Sequence, residues 1–228
     1  HIVPESFGNK KYLIKRGAVC DKCNNRFAAF EKKALGNSIF VMERARLGFT
    51  NKRGRPAQGT IGELSIMGDA RLRRQHITIK GLSKDNFKLT DPARQIGQIL
   101  IKSFDKSEAA ASKMLLKIGL ESIFTSQKHL FDKYDFQDLK DYLSGASNID
   151  WPIMTASGDS DTYISIPRFQ DKYELKRIKC YLSFCDYDTG TLLFKFKYGG
   201  ITMIINLLSR NSEWIKNYSD AEDTSRLY

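Results

Sequence analysis

No apolar run in this 228-residue chain reaches the eighteen or so residues that a membrane-crossing helix needs. The longest candidate, residues 199–208, is short and carries Thr202 and Asn206. The opening HIVPESFGNKK has no apolar core of the kind a secretory signal requires, so no leader is expected. There is no internal repeat and no low-complexity tract. Cysteine is scarce, with only Cys20, Cys23, Cys180 and Cys185. These exclusions leave a soluble, cytoplasmic, globular protein without membrane contact as the expectation. In a reducing compartment its C-x-x-C pair belongs to metal or redox chemistry rather than to a structural disulfide. The chain begins with His rather than Met, so further residues are expected upstream.

The balance of what is present is ordinary: 41% hydrophobic and 28% charged residues, enough for one large domain or two small ones. The net charge of +11 is unevenly placed. Residues 1–56 hold 13 Lys and Arg against four acidic residues, for +9, and residues 57–228 carry only +2. A basic segment joined to a nearly neutral one implies either a polyanion partner at the basic end or a solvated basic surface.

Hydrophobic spacing predicts helices over about 21–35 and 38–47, the second capped by Ser38 and stopped by Gly48. Residues 1–19 read as a short strand and loop punctuated by Pro4 and Gly8, with Tyr12–Ile14 as a candidate second strand. Residues 50–60 read as a flexible basic linker or a backbone-contacting loop. Strands are expected at 61–67 and 76–79. Helices are expected from Asp91-Pro92 through Ile96, Ile99, Leu100 and Phe104, from Ser107 with Leu116, Leu120, Ile123 and Phe124 on its core face, and over 130–143 up to Gly145. From Trp151 the pattern changes to strands, with a hairpin whose turn is Tyr187-Asp188-Thr189-Gly190. The polar tail from Ser219 is expected to fray. The fold class is therefore α+β: an N-terminal unit at 1–56, then an accessory domain at 57–228 of helices followed by antiparallel sheet.

The string that carries chemistry is His1-Ile2-Val3-Pro4-Glu5-Ser6-Phe7-Gly8, followed by Cys20-Asp21-Lys22-Cys23-Asn24-Asn25. Phosphodiester hydrolysis needs a base to deprotonate water and a cation to take up charge on the phosphate. Neutral imidazole suits the first task near pH 7, and carboxamide and carboxylate oxygens suit Mg²⁺. A histidine on a strand facing an asparagine on a helix is a minimal arrangement for both.

These residues resemble the HNH, or ββα-metal, endonucleases, in the branch with CxxCNN-x-F, an acidic residue, a short apolar helix and a basic N-K-R-G-R segment. Phe27, Glu31 and Asn51-Lys52-Arg53-Gly54-Arg55 fit it, with Pro56 following directly. The opening HIVP is also similar to the HNH domain of CRISPR effector nucleases, where the histidine-to-asparagine spacing equals that from His1 to Asn24. Beyond residue 56 the likeness thins to Lys117-Ile118-Gly119-Leu120-Glu121 and Tyr198-Gly199-Gly200.

The resemblance implies His1 as general base and Asn24 as a ligand of Mg²⁺ or Mn²⁺. It implies Cys20 and Cys23 as half of a structural Zn²⁺ knuckle. The second acidic metal ligand and the second cysteine pair of the family fall ahead of residue 1. The asparagine that steadies the family's loop falls near Lys15, where none stands. DNA is the implied partner, with Lys10, Lys11, Lys15, Arg16, Arg26, Lys52, Arg53 and Arg55 on its backbone. A restriction-type or phage-defence role, with a homo-oligomer or a defence-system partner protein, is compatible with this. The rival reading is a non-catalytic, zinc-clamped nucleic-acid-binding module on a degenerate HNH scaffold. Cys180 and Cys185 are expected as core thiols, and His76 and His129 as surface or core histidines without chemistry.

Overall fold

The structure, a computed structural model, describes residues 1–51, 53–71, 76–99, 101–102, 104–157, 181–188, 190–217 and 225–226. It is α+β, with helices and antiparallel sheets. Two compact units are built from residues 1–31 with 109–228, and from 32–108. The division expected after residue 56 falls inside the second unit. Among the described residues no helix is long and apolar enough to cross a membrane.

In the first unit, α1 (Asp21–Ala34) follows an irregular N-terminal loop. α3 (Glu108–Ser126) buries most of its length, including Met114, Leu115, Leu116 and Ile118. It is followed by α4 (Lys128–Lys133), α5 (Gln137–Ser144) and a five-stranded antiparallel sheet. The sheet's strands are β6 (Met154–Ser157), β7 (Tyr181–Asp188), β8 (Thr191–Tyr198), β9 (Ile201–Asn206) and β10 (Ser225–Arg226), in the order β10-β7-β8-β9-β6. A short helix, α6 (Trp214–Asn217), packs Trp214 into a cluster with Leu193 and Ile204. α3 lies close on this sheet where Gly119 leaves room. A Cβ there would sit 2.8 Å from Leu207 Cδ2 and 2.9 Å from Phe194 Cγ. Trp151 locks the connection, donating Nε1–H to Asn206 O at 2.7 Å while its own carbonyl accepts from Ser112 Oγ at 2.8 Å.

The second unit packs α2 (Ser38–Arg46) on a meander of β1 (Gln58–Ile61), β2 (Leu64–Gly68) and β3 (Ile77–Lys80). Val41, Ala45, Ile61, Leu64 and Ile66 form its core. A separate hairpin joins β4 (Phe87–Asp91) and β5 (Ile96–Ile99).

Several expectations need correction. Residues 92–99 are not a helix: Pro92 begins the turn of the β4–β5 hairpin, and Gln95 closes it at φ 56°. Ile96 and Ile99 fit a helical period but also a strand, and Gly97 decides between them. It lies across from Leu89, and a Cβ on it would strike the Phe87 ring at 2.5 Å. Leu100 is outside the described residues. The helix expected over 130–143 is two, because Tyr134 is extended and Asp135 Oδ1 accepts Gln137 N–H at 2.8 Å, restarting the chain as α5. Gly145 ends α5 at φ 79°, as expected. Asn37 occupies the cap position of α2, and the N–H of Ser38 goes to Asp105 at 2.8 Å. About Thr50–Pro56 the described residues form a bonded turn, which fits the loop and not the linker. Asn51 Oδ1 accepts from the N–H groups of Arg53 and Arg55 at 2.9 and 3.1 Å, and Thr50 pairs with Pro56. Of the tail expected to fray, Ser225 and Arg226 pair with β7 as β10, and the rest lies outside the described residues.

The expected strands of residues 1–19 are also absent. A 3₁₀ turn at Glu5–Phe7 and a left-handed Gly8 at φ 78° replace them. Pro4 has no N–H for a ladder. One backbone bond, Ile2 N–H to Tyr12 O at 2.9 Å, joins the two arms of the loop.

Candidate active site

The loop that begins at His1 is held from three sides. Ile2, Val3 and Phe7 are buried, and the Phe7 ring meets Tyr198 edge-on at 4.5 Å and Phe196 at 5.6 Å, so the loop sits on β8. Burial of each such side chain contributes roughly 1.5–3 kcal/mol. Asn9, itself buried, closes the loop from inside. Its Nδ2 donates to Val3 O at 2.7 Å and Tyr12 O at 3.2 Å, and its Oδ1 accepts from the N–H groups of Lys11 and Tyr12 at 2.9 and 2.8 Å. A loop-steadying carboxamide therefore exists, at Asn9 and not near Lys15. Asn9→Ala is expected to lower stability by about 1–3 kcal/mol, because buried carbonyls and N–H groups lose their partners. The exposed neighbour Lys10→Ala is expected to stay within about 0.5 kcal/mol of the parent in the same denaturant titration.

The third hold is Lys117. Its ammonium is buried and donates to the carbonyls of His1 and Ile2 at 2.7 and 3.0 Å. It also lies 3.1 Å from Glu31 Oε1 on α1 and 3.1 Å from Glu121 Oε2 one turn further along α3. An ammonium has three N–H groups, and the two carbonyls take two of them. Glu121 Oε2 is in ion-pair contact without hydrogen-bond alignment. Burial pushes the Glu121 carboxyl up to about 7; Lys117 pulls it down and Glu31 pushes it further up.

Between about pH 4.5 and 7 the folded protein keeps a proton on Glu121 that the unfolded chain has released. This group's contribution to stability therefore falls as pH rises through that window and levels off above it. Glu121→Gln cannot titrate. Relative to the parent it is expected to gain roughly 2–3 kcal/mol on going from pH 5 to pH 8 in urea unfolding. A parent–variant difference that does not change with pH would contradict this.

Asn24 is exposed on the first turn of α1. Glu31 is seven residues on, two helical turns, so the two share one face of the helix about 10 Å apart along its axis. Lys117 thus ties the backbone of exposed His1 to the helix that carries Asn24. Cys20 and Cys23 adjoin at the start of that helix, with Cys23 N–H donating to Cys20 Sγ at 3.4 Å. The Cys20 thiol is held below its ordinary range, first by that N–H and then by the Cys23 thiol. Cys23 is pushed up, first by its bond to Cys20. Among the described residues no three His, Cys, Asp or Glu side chains converge to hold a metal ion. Two thiols fill half of a tetrahedral zinc site, and one carboxamide supplies one of the six oxygens around Mg²⁺. By themselves they complete neither.

Lys10, Lys11, Lys15 and Arg16 are exposed on the N-terminal loop and Arg26 on α1, all in the first unit. Arg53 and Arg55 are exposed in the second unit, on the loop pinned by Asn51. Lys52 and Cys180 lie outside the described residues. Cys185 packs against the Leu193, Ile204 and Trp214 cluster, as a core thiol does, and His76 and His129 are exposed.

No family model, curated protein or solved structure matches this chain. The likeness to HNH enzymes rests on the residues quoted above. The buried Lys117–Glu31–Glu121 cluster was not read as a site from the sequence. Its signal was there: a cation and an anion at i, i+4 inside the otherwise apolar stretch Met114-Leu115-Leu116-Lys117-Ile118-Gly119-Leu120-Glu121.

Proposed function

We propose that this chain is an HNH-type endonuclease that hydrolyses phosphodiester bonds in DNA, with its site on residues 1 to about 35, where a loop and α1 stand in place of the family's two strands and helix. The observation that carries this reading is the buried ammonium of Lys117. It bonds the His1 and Ile2 carbonyls and pairs with Glu31 two turns from Asn24, so one group registers the histidine-bearing loop against the asparagine-bearing helix. His1, exposed on a loop fixed at three points, takes a proton from the attacking water. Lys10, Lys11, Lys15, Arg16 and Arg26 hold the DNA backbone by charge, so affinity falls steeply with salt. Asn24 would be one ligand of a catalytic Mg²⁺ or Mn²⁺, and Cys20 with Cys23 would be half of a Zn²⁺ clamp. When bound, the catalytic cation neutralises charge that builds on the phosphate.

A second reading is a zinc-clamped module that binds nucleic acid without cutting it. The exposed cations of the N-terminal loop and α1 suit it, because they bind a polyanion whether or not a bond is cut. Supercoiled plasmid incubated with the chain and Mg²⁺ or Mn²⁺ separates the two. The nuclease converts it to nicked or linear forms and is stopped by EDTA. Plasmid that is retained in a gel shift but stays supercoiled with either ion leaves only the binding module.

A further inference from the structure

A recess of about 300 Å³ opens beside the start of α1, wholly within the first unit. That volume is at the small end for ligand pockets and suits one ring system rather than a long chain. Its walls are mostly apolar, with Phe27 of α1, Leu120 and Phe124 of α3, Phe131 of α4 and Leu143 of α5. Cys20, Cys23, Lys117 and Glu121 also line it. Leu120, Phe124 and Phe131 are only half-buried, although the helical pattern assigns the first two to a core face. Phe124 and Phe131 meet edge to face at 5.0 Å.

Cations lie over these rings, and the Phe131 ring also stacks on Phe136 at 5.7 Å, so a base would take the place of an ammonium over Phe131. Lys140 Nζ is 5.5 Å from the Phe131 ring centre, and Lys128 Nζ is 5.1 Å from Phe131 and 5.9 Å from Phe124. Lys128 also pairs with Asp132 one turn on, so Lys140 is the cation with more charge to offer a ligand. Aromatic rings bordered by ammonium groups are the chemistry of single-stranded nucleic-acid binding. The rings stack a base, which any sequence offers, and the cations meet the phosphates on either side. The excess positive charge of residues 1–56, which include the Ile14–Phe27 side of the recess, favours the same polyanion.

We propose that this recess takes one unpaired base of a DNA strand, stacked against Phe131 and Phe124, with Lys140 and Lys128 on the flanking phosphates. The proposal rests on the DNA-binding part of the reading above and not on cleavage. It makes bulged, melted or single-stranded DNA the preferred substrate over perfect duplex.

The test is binding, in EDTA, of a labelled oligothymidylate and of an equally long strand that is abasic at its central positions. Two variants change the recess in opposite ways. Phe131→Ala removes the platform. Ala18→Phe fills the recess from an exposed position on its wall, and leaves in place the backbone bond from Ala18 N–H to Lys15 O. The parent is expected to prefer the base-bearing strand by roughly five- to 150-fold, the range for one stacked base. Both variants are expected to lose that preference while binding the abasic strand within twofold of the parent. Equal parent affinity for the two strands, or a preference that survives in Ala18→Phe, overturns the proposal. Base preference without plasmid cleavage would remove the nuclease and keep the recess, and cleavage without base preference would do the reverse.

Discussion

Lys117→Met is expected to destabilise the protein by about 3–5 kcal/mol at pH 8, the cost of removing one partner from a buried ion cluster. The methionine fills the same space, so packing changes little. What is lost is electrostatic. Glu31 and Glu121 face each other without the cation between them, and the His1 and Ile2 carbonyls lose their donor. Because Glu121 titrates near 7, it meets the loss of Lys117 partly by staying protonated at lower pH. The destabilisation should therefore be smaller at pH 5 than at pH 8. The control is Lys128→Met, which breaks an exposed pair with Asp132 and should cost under about 1 kcal/mol. Guanidinium unfolding at the two pH values reads both. A Lys117→Met protein within 1 kcal/mol of the parent at pH 8 would mean that the cluster does not hold the loop.

His1→Ala has the other large expected effect, and it falls on rate rather than on stability. The side chain is exposed, and the loop is held through the backbone carbonyls of His1 and Ile2, through Asn9, and through Ile2, Val3 and Phe7. None of these needs the imidazole. Removing a general base costs about 10²- to 10⁴-fold in rate. Plasmid nicking should thus fall at least about a hundredfold while DNA affinity and the unfolding midpoint stay near the parent's. If the variant unfolds early or binds DNA poorly, His1 is structural and the assignment of its role fails.

What was legible in the sequence follows from how local each determinant is. α1, α2 and α3 were readable because their apolar residues recur at helical spacing, and Gly48 and Gly145 mark ends that need a left-handed residue. The β7–β8 hairpin was readable from two apolar runs flanking a turn. The β4–β5 hairpin was not, because Ile96 and Ile99 match the helical period although β-branched residues favour strands, and the steric role of Gly97 appears only once the Phe87 ring lies over it. The N-terminal loop was misread for a related reason. Asn9 takes the backbone groups that a strand ladder would have used, and nothing in HIVPESFGNKKY announces that. His1, Asn24, Cys20 and Cys23 stood out by residue type and spacing. The group that relates the first two, Lys117, lies more than ninety residues beyond Asn24, and only packing brings it there.

The most direct test of the account is chemical rescue of His1→Ala on supercoiled plasmid with Mg²⁺ or Mn²⁺. If the His1 imidazole removes the proton from water, the variant should be nearly inert alone, and added free imidazole should restore nicking in proportion to its concentration without stimulating the parent. A variant that nicks at the parent's rate with no imidazole present would contradict the account.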